Sequence, residues 1–275
     1  MITKMYQHNN LSKIFFKLSR DQRLSSRLPD YTSTTTLYYI NTAINCCDNW
    51  NNFLDIGASD GYYSIPLLKK FARGTAVEID NNQNLISLKN DFNNFTPIIG
   101  TIDDIKLNTK FDFILLADVF EHIPLEEINK FCLRLSSMQN AGGVIYILTP
   151  NPIFCGPATK SDLFHKINNN KHHGHQKHYL PNEIIKLFSD QGYNLVFNIY
   201  EESNFRQIIK QLILGISIRD NKYEDLRIYK IISPIFIYPI KLFLYILGII
   251  SHNVELLKSK DNFGMMSQIL VFKKI

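Results

Sequence analysis

Cysteine is scarce in this chain: four among 275 residues, with Cys46 and Cys47 adjacent and Cys132 and Cys155 each alone. No disulfide framework and no zinc-type ligand spacing can be built from that set, so a reduced, cytoplasmic setting is expected. Charge of one sign is also lacking. The 30 basic and 25 acidic residues leave a net charge of +5. The basic residues are scattered rather than gathered into a stripe, and nucleic acid is therefore not an expected partner. The opening segment Met1–His8 is polar and has no charged-then-apolar leader pattern, so secretion is not expected. Internal repeats are absent, and the length suits one full core with an appended element.

What is present is an alternation of strand and helix patterns of the kind that builds a parallel sheet. Strands are expected near residues 53–56, 74–79, 96–99, 112–117, 143–148, 194–201 and 267–273. A helix is expected over 36–47. Another follows Pro124, with Leu125, Ile128, Cys132, Leu135 and Met138 on one stripe. A third opens at Pro181, turns Ile184, Ile185 and Phe188 inward, and ends at Gly192.

The most informative stretch is Phe53-Leu54-Asp55-Ile56-Gly57-Ala58-Ser59-Asp60-Gly61-Tyr62-Tyr63-Ser64, an apolar strand that empties into a glycine-bearing turn and a helix start. In a dinucleotide site the glycines let backbone N–H groups approach a pyrophosphate, and a carboxylate at Asp55 would repel it. The middle glycine of that fingerprint is also replaced, by Ser59. A ligand with an ammonium and a sulfonium in place of phosphates turns Asp55 into a counter-charge. The second strand, Gly74–Asp80, carries Glu78 about twenty residues beyond the first glycine, the place from which an acid accepts ribose hydroxyls.

At these residues the chain resembles the class I S-adenosylmethionine (SAM)-dependent methyltransferases. Phe111–Pro124 is similar to the family's fourth strand and its exit, and Ala141–Pro152 to its Gly-Gly turn, fifth strand and Thr-Pro-Asn close. The resemblance implies a Rossmann-like α/β fold with seven mostly parallel strands and an antiparallel last strand. The core would be residues 51–202 and 264–275, preceded by a helical extension over 1–50 and interrupted by a hydrophobic helical insertion over 203–263. It implies SAM as cofactor, held by Asp55, Gly57, Ser59, Gly61, Glu78, Thr101, Ile102, Ala117 and Asp118. The adenine amino group would meet the Thr101 hydroxyl, with the Ile102 N–H paired to the ring; Asp103 is the alternative acceptor.

Methyl transfer is an in-line displacement in which the nucleophile must also lose a proton. The fourth strand exits through Ala117-Asp118-Val119-Phe120 rather than the Asn/Asp-Pro-Pro-Tyr/Phe of base-amine methylation, and no Pro-Cys nucleophile is present. A hydroxyl acceptor is left, with His122 as general base. Asp118-x-x-Glu121-His122 also resembles the Glu-x-x-Glu-His metal motif of small-RNA 2′-O-methyltransferases and ubiquinone-biosynthesis O-methyltransferases. That likeness implies a divalent cation on Glu121, His122 and a later histidine, His175, which would make His175 catalytic as well. Asp118 replaces the motif's first Glu and shortens its reach. The same Glu-His-Ile/Val-Pro pattern also occurs where the histidine only lines the pocket.

The expected activity is therefore O-methylation of a small or lipid-linked acceptor, such as a sugar, a quinone precursor or a glycan intermediate. An RNA 2′-O-methyltransferase and a non-catalytic SAM-binding protein are the alternatives. The apolar run 231–250 is long enough to span a bilayer, but Pro234, Pro239 and Lys241 interrupt it. A span would also separate the last strand from its sheet. A lid, a homodimer contact or peripheral attachment to the inner membrane face remain as readings. His172 and His173, in a polar run, are expected in a solvated loop.

Overall fold

The computed structural model describes residues 31–106, 108–155, 174–203 and 265–275, with isolated positions between 243 and 260. The elements follow in order: α1 (Tyr31–Ile44), β1 (Asn52–Ile56), α2 (Ser64–Leu68), β2 (Arg73–Glu78), α3 (Gln83–Asp91), β3 (Phe95–Ile99), β4 (Phe111–Ala117), α4 (Ile128–Met138), β5 (Gln139–Pro150), α5 (Pro152–Cys155), α6 (Pro181–Ser189), β6 (Tyr193–Ser203) and β7 (Met265–Lys274). The seven strands form one sheet in the order β3-β2-β1-β4-β5-β7-β6. The first five pair in parallel, and β7 lies antiparallel between β5 and β6. This is the doubly wound arrangement in which ligands bind beyond the carboxyl ends of the strands.

The central strands read as near-continuous apolar runs because both faces of the sheet are covered. Every residue of β4 from Phe111 to Leu116 is buried. On one face Leu54, Ile56, Ile114, Leu116, Ile145 and Ile147 join Cys132, Leu135 and Met138 of α4 and Ile184 and Phe188 of α6 in one core. Phe188 stacks on Phe272 at 4.9 Å between ring centroids. On the other face Phe71 lies between Phe53 at 5.6 Å and Phe113 at 5.9 Å.

Two local readings change. Leu125 is 53 % exposed because α4 begins only at Ile128, leaving that residue before the helical stripe. The Gly-Gly pair is not a turn ahead of the fifth strand. It lies inside β5, where the register shifts between Phe111 and Phe113 of β4 and Gly142 takes φ +71°. A side chain there would overlap the Asp48 carboxylate, so glycine is demanded by a bulge.

The chain divides into two compact units, residues 36–203 with 257–275, and residues 1–35 with 204–256. The first contains the sheet. In the second, the described residues are the start of α1 and helical positions that include Phe243, Ile246, Ile250 and Val254, all exposed. The rest of the 231–250 run, and His172 and His173, lie outside the described residues. Among the described residues no helix is long and apolar enough to cross a membrane.

Candidate active site

The turn after β1 passes through Gly57 at φ +68°, Ser59 at φ +50° and Gly61 at φ +81°. The N–H groups of Gly57 and Ala58 both donate to the Val77 carbonyl, at 2.9 and 3.2 Å, which pins the turn to β2. A side chain on Gly57 would overlap Val119, and one on Gly61 would overlap Leu88. Ser59 holds the left-handed conformation without glycine's freedom, and its N–H donates to Glu78 Oε2 at 2.6 Å. Glu78 Oε1 accepts from Ile79 and Asp80 N–H at 2.8 and 3.2 Å. Three backbone donors thus fix the acid at the end of β2 and leave acceptor capacity for a further donor.

Asp55 does not reach the cleft as a standing anion. It is 2 % exposed and accepts the Ser64 hydroxyl at 2.6 Å. Loss of water raises its pKa to about 7, against the lowering effect of Ser64 and with a further rise from Glu78. Its charge therefore depends on what lies nearby.

Beyond the carboxyl ends of β1, β2, β3 and β4 opens a cleft of about 640 Å³, lined by Gly57, Glu78, Thr101, Ile102, Asp118 and His122 among others, a size ordinary for a small-molecule site. Asp55, Ser59, Gly61, Ala117, Glu121 and His175 are not among its lining residues. Sequence reasoning did not pick out Ile79, 75 % exposed in the cleft, nor Lys130, Phe131 and Arg134 of α4, of which Lys130 is exposed and Phe131 buried. The signal for Lys130 and Arg134 was their four-residue spacing, offset from the buried stripe that takes in Phe131. At the far wall Thr101 is engaged in a capping box. Its hydroxyl accepts the Asp103 N–H at 3.3 Å, and its N–H donates to Asp104 at 2.7 Å. Asp103 is exposed, 3.9 Å from Arg134 Nε.

The exit of β4 carries the titratable groups. Asp118 takes φ +56° and its N–H donates to the Leu148 carbonyl at 3.0 Å; aspartate is among the few residues that tolerate this region. A single 3₁₀ turn, Phe120–His122, follows. Phe120 is fully buried and meets Tyr179 at 5.1 Å and Phe188 at 6.1 Å, so it anchors Glu121 and His122 to the core. Glu121 is 1 % exposed and its Oε2 accepts the Thr149 hydroxyl at 3.0 Å. Burial first, and then the Asp118 charge, raise its pKa to about 8, partly opposed by its hydrogen bonds.

The later histidine is brought in by main chain. The Glu121 carbonyl accepts N–H bonds from Gln176 at 2.7 Å and Lys177 at 3.3 Å. His122 and His175 then lie edge to face, 4.7 Å between ring centroids. One ligating atom from each of Glu121, His122 and His175 falls within 4.8 Å of the others. Donors about 2.1 Å from a shared ion sit no more than about 4.2 Å apart, so the cluster can close on one with a small contraction. One carboxylate with two imidazoles suits a borderline divalent cation.

A doubly wound sheet of this order, with a glycine turn and an acid at the end of β2 bordering one cleft, defines a class I SAM-dependent methyltransferase. The chain belongs to the methyltransferase-domain family, whose pattern matches residues 18–197, and SAM is its methyl donor. No curated protein matches the chain. Among solved structures it is similar in fold to a cyclopropane synthase from Mycobacterium tuberculosis (13% identity, 86% of this chain and 84% of that one, TM-score 0.56). It is similar also to coclaurine N-methyltransferase bound to N-methylheliamine and S-adenosylhomocysteine (16%, 89% and 72%, TM-score 0.55). A third is the Burkholderia thailandensis 1,6-didemethyltoxoflavin-N1-methyltransferase (11%, 96% and 87%, TM-score 0.52). Gly57 keeps the backbone bare at the cleft, which suits a nucleoside-bearing cofactor lying against it.

Proposed function

We propose that the chain transfers the methyl group of SAM to a hydroxyl on a small or lipid-linked acceptor, with a divalent cation held by Glu121, His122 and His175. The observation that carries this reading is the convergence of those three side chains within 4.8 Å at the exit of β4. When bound there, the cation would lower the pKa of an acceptor hydroxyl. Glu121 supports the reading because a buried acid beside Asp118, held neutral up to about pH 8, gains most from a positive charge. Without a cation, His122 is the group placed to accept the proton.

At the cofactor end Gly57, Ser59 and Gly61 shape the turn, and Glu78 takes a ribose hydroxyl. Asp118 and the neighbouring Ala117 border the methionyl end, and Asp55 answers the ligand's positive charge by ionising beneath it. Ile102 pairs with the adenine ring. The capping box occupies Thr101, so Asp103 is the acid better placed for the adenine amino group. Small acceptors are supported by the fold relatives, one bound to N-methylheliamine and another acting on 1,6-didemethyltoxoflavin. Those relatives are N-methyltransferases. The hydroxyl reading rests instead on the metal-type cluster.

His122→Ala tests the proposal. SAM affinity should hold by calorimetry while the methylation rate falls about 10²- to 10⁴-fold. Chelator should abolish wild-type activity and a divalent cation restore it. Indifference to chelator leaves His122 as sole base, and full activity in His122→Ala removes both roles.

A further inference from the structure

His178 belongs to neither the cofactor cleft nor the cation cluster, yet its Nε2 lies 2.8 Å from Nδ1 of His175. It is 8 % exposed, on a segment anchored from several sides. The Tyr179 carbonyl accepts the Gln268 amide of β7 at 2.6 Å. The Leu180 N–H donates to Glu183 of α6 at 2.8 Å, and Lys177 pairs with the same carboxylate at 2.6 Å. The two histidine rings meet at 68° with centroids 5.1 Å apart. His175, by contrast, follows a stretch outside the described residues and a left-handed Gly174 at φ +71°. Among the described residues its main chain is steadied from the following side, by the bonds of Gln176 and Lys177 to Glu121.

A neutral imidazole carries one N–H and one lone pair, and the partner of the first decides where the second points. With Nδ1 committed to His178, Nε2 is the nitrogen through which His175 can ligate. We infer that His178 is a positioning residue: it accepts the Nδ1–H of His175, fixing the tautomer and ring angle that present Nε2 to the cation shared with Glu121 and His122. This rests on the cation reading above. Partners of this kind commonly contribute 10- to 100-fold to metal affinity.

The test is a cobalt(II) titration of the full chain, followed by its visible absorption, alongside calorimetric SAM binding. His178→Phe keeps a buried ring but removes the acceptor, and should weaken cobalt affinity about 10- to 100-fold with SAM affinity unchanged. His178→Gln restores an acceptor oxygen and should recover most of the loss. Wild-type affinity in His178→Phe overturns the inference and leaves the cation reading intact. A loss that His178→Gln does not recover also overturns it, since the ring would then matter only for packing. Failure of the wild-type chain to bind cobalt overturns both.

Discussion

A side chain on Gly57 would run into the Cγ2 methyl of Val119, so the cofactor turn and the exit of β4 are in contact before any ligand is considered. Gly57→Val would therefore strain the apo protein as well as crowd the cofactor. Gly57→Ala should lower SAM affinity by tenfold or more and cost about 1–2 kcal/mol of stability from the backbone conformation alone. Adding Val119→Ala should recover stability lost to the clash, read by thermal unfolding. If it also restores full SAM affinity by calorimetry, the close approach of the cofactor to Gly57 is wrong.

Ser59 sits at φ +50° in the place where a dinucleotide turn has its middle glycine. Ser59→Gly should relieve about 1 kcal/mol of backbone strain, partly offset by the freer unfolded chain. The expected result is a melting temperature raised by a few degrees with the Glu78 hydrogen bond, and hence SAM affinity, retained. A drop in melting temperature would show that the serine side chain stabilises the turn by more than its conformation costs.

Asp55 gives a pH signature with a definite sign. Its carboxyl binds a proton more tightly folded, with a pKa of about 7 against 3.8 unfolded. The folded state therefore holds more protons across that window, and stability falls as pH rises through it. Asp55→Asn keeps an acceptor for Ser64 and should flatten the decline between about pH 4 and 7, by on the order of a few kcal/mol at most. Chemical denaturation at pH 5 and pH 8 measures it. An unchanged slope would mean that Asp55 is ionised throughout.

The exposed Phe243, Ile246, Ile250 and Val254 occupy helical positions between the basic residues Arg227 and Lys230 and Lys258 and Lys260, a pattern that the proposed lipid-linked acceptor would put to use at a membrane surface. Anionic vesicles should sediment the protein at low salt and release it at high salt. Protein that stays in the supernatant and elutes as a stable dimer would assign the stripe to self-association instead.

The alternation of apolar strands with amphipathic stretches by itself determined the sheet, because seven strands and their covering helices must each bury a face, and period and length reveal which. Local chemistry likewise marked the glycine turn and Glu78. It also marked Asp118, Glu121 and His122, since neighbours three and four apart in sequence are neighbours in space. Other relations had no local signal. The meeting of His175 with His122 depends on Glu121 accepting two N–H groups from a segment more than fifty residues later. The ring of His178 matters only because β7 and α6 hold it against His175. Asp55 is a fixed charge in the sequence and a conditional one in the fold, because its ionisation depends on how much water the packing removes. Burial and long-range hydrogen bonds are properties of the assembled sheet, and only the tertiary structure decided them.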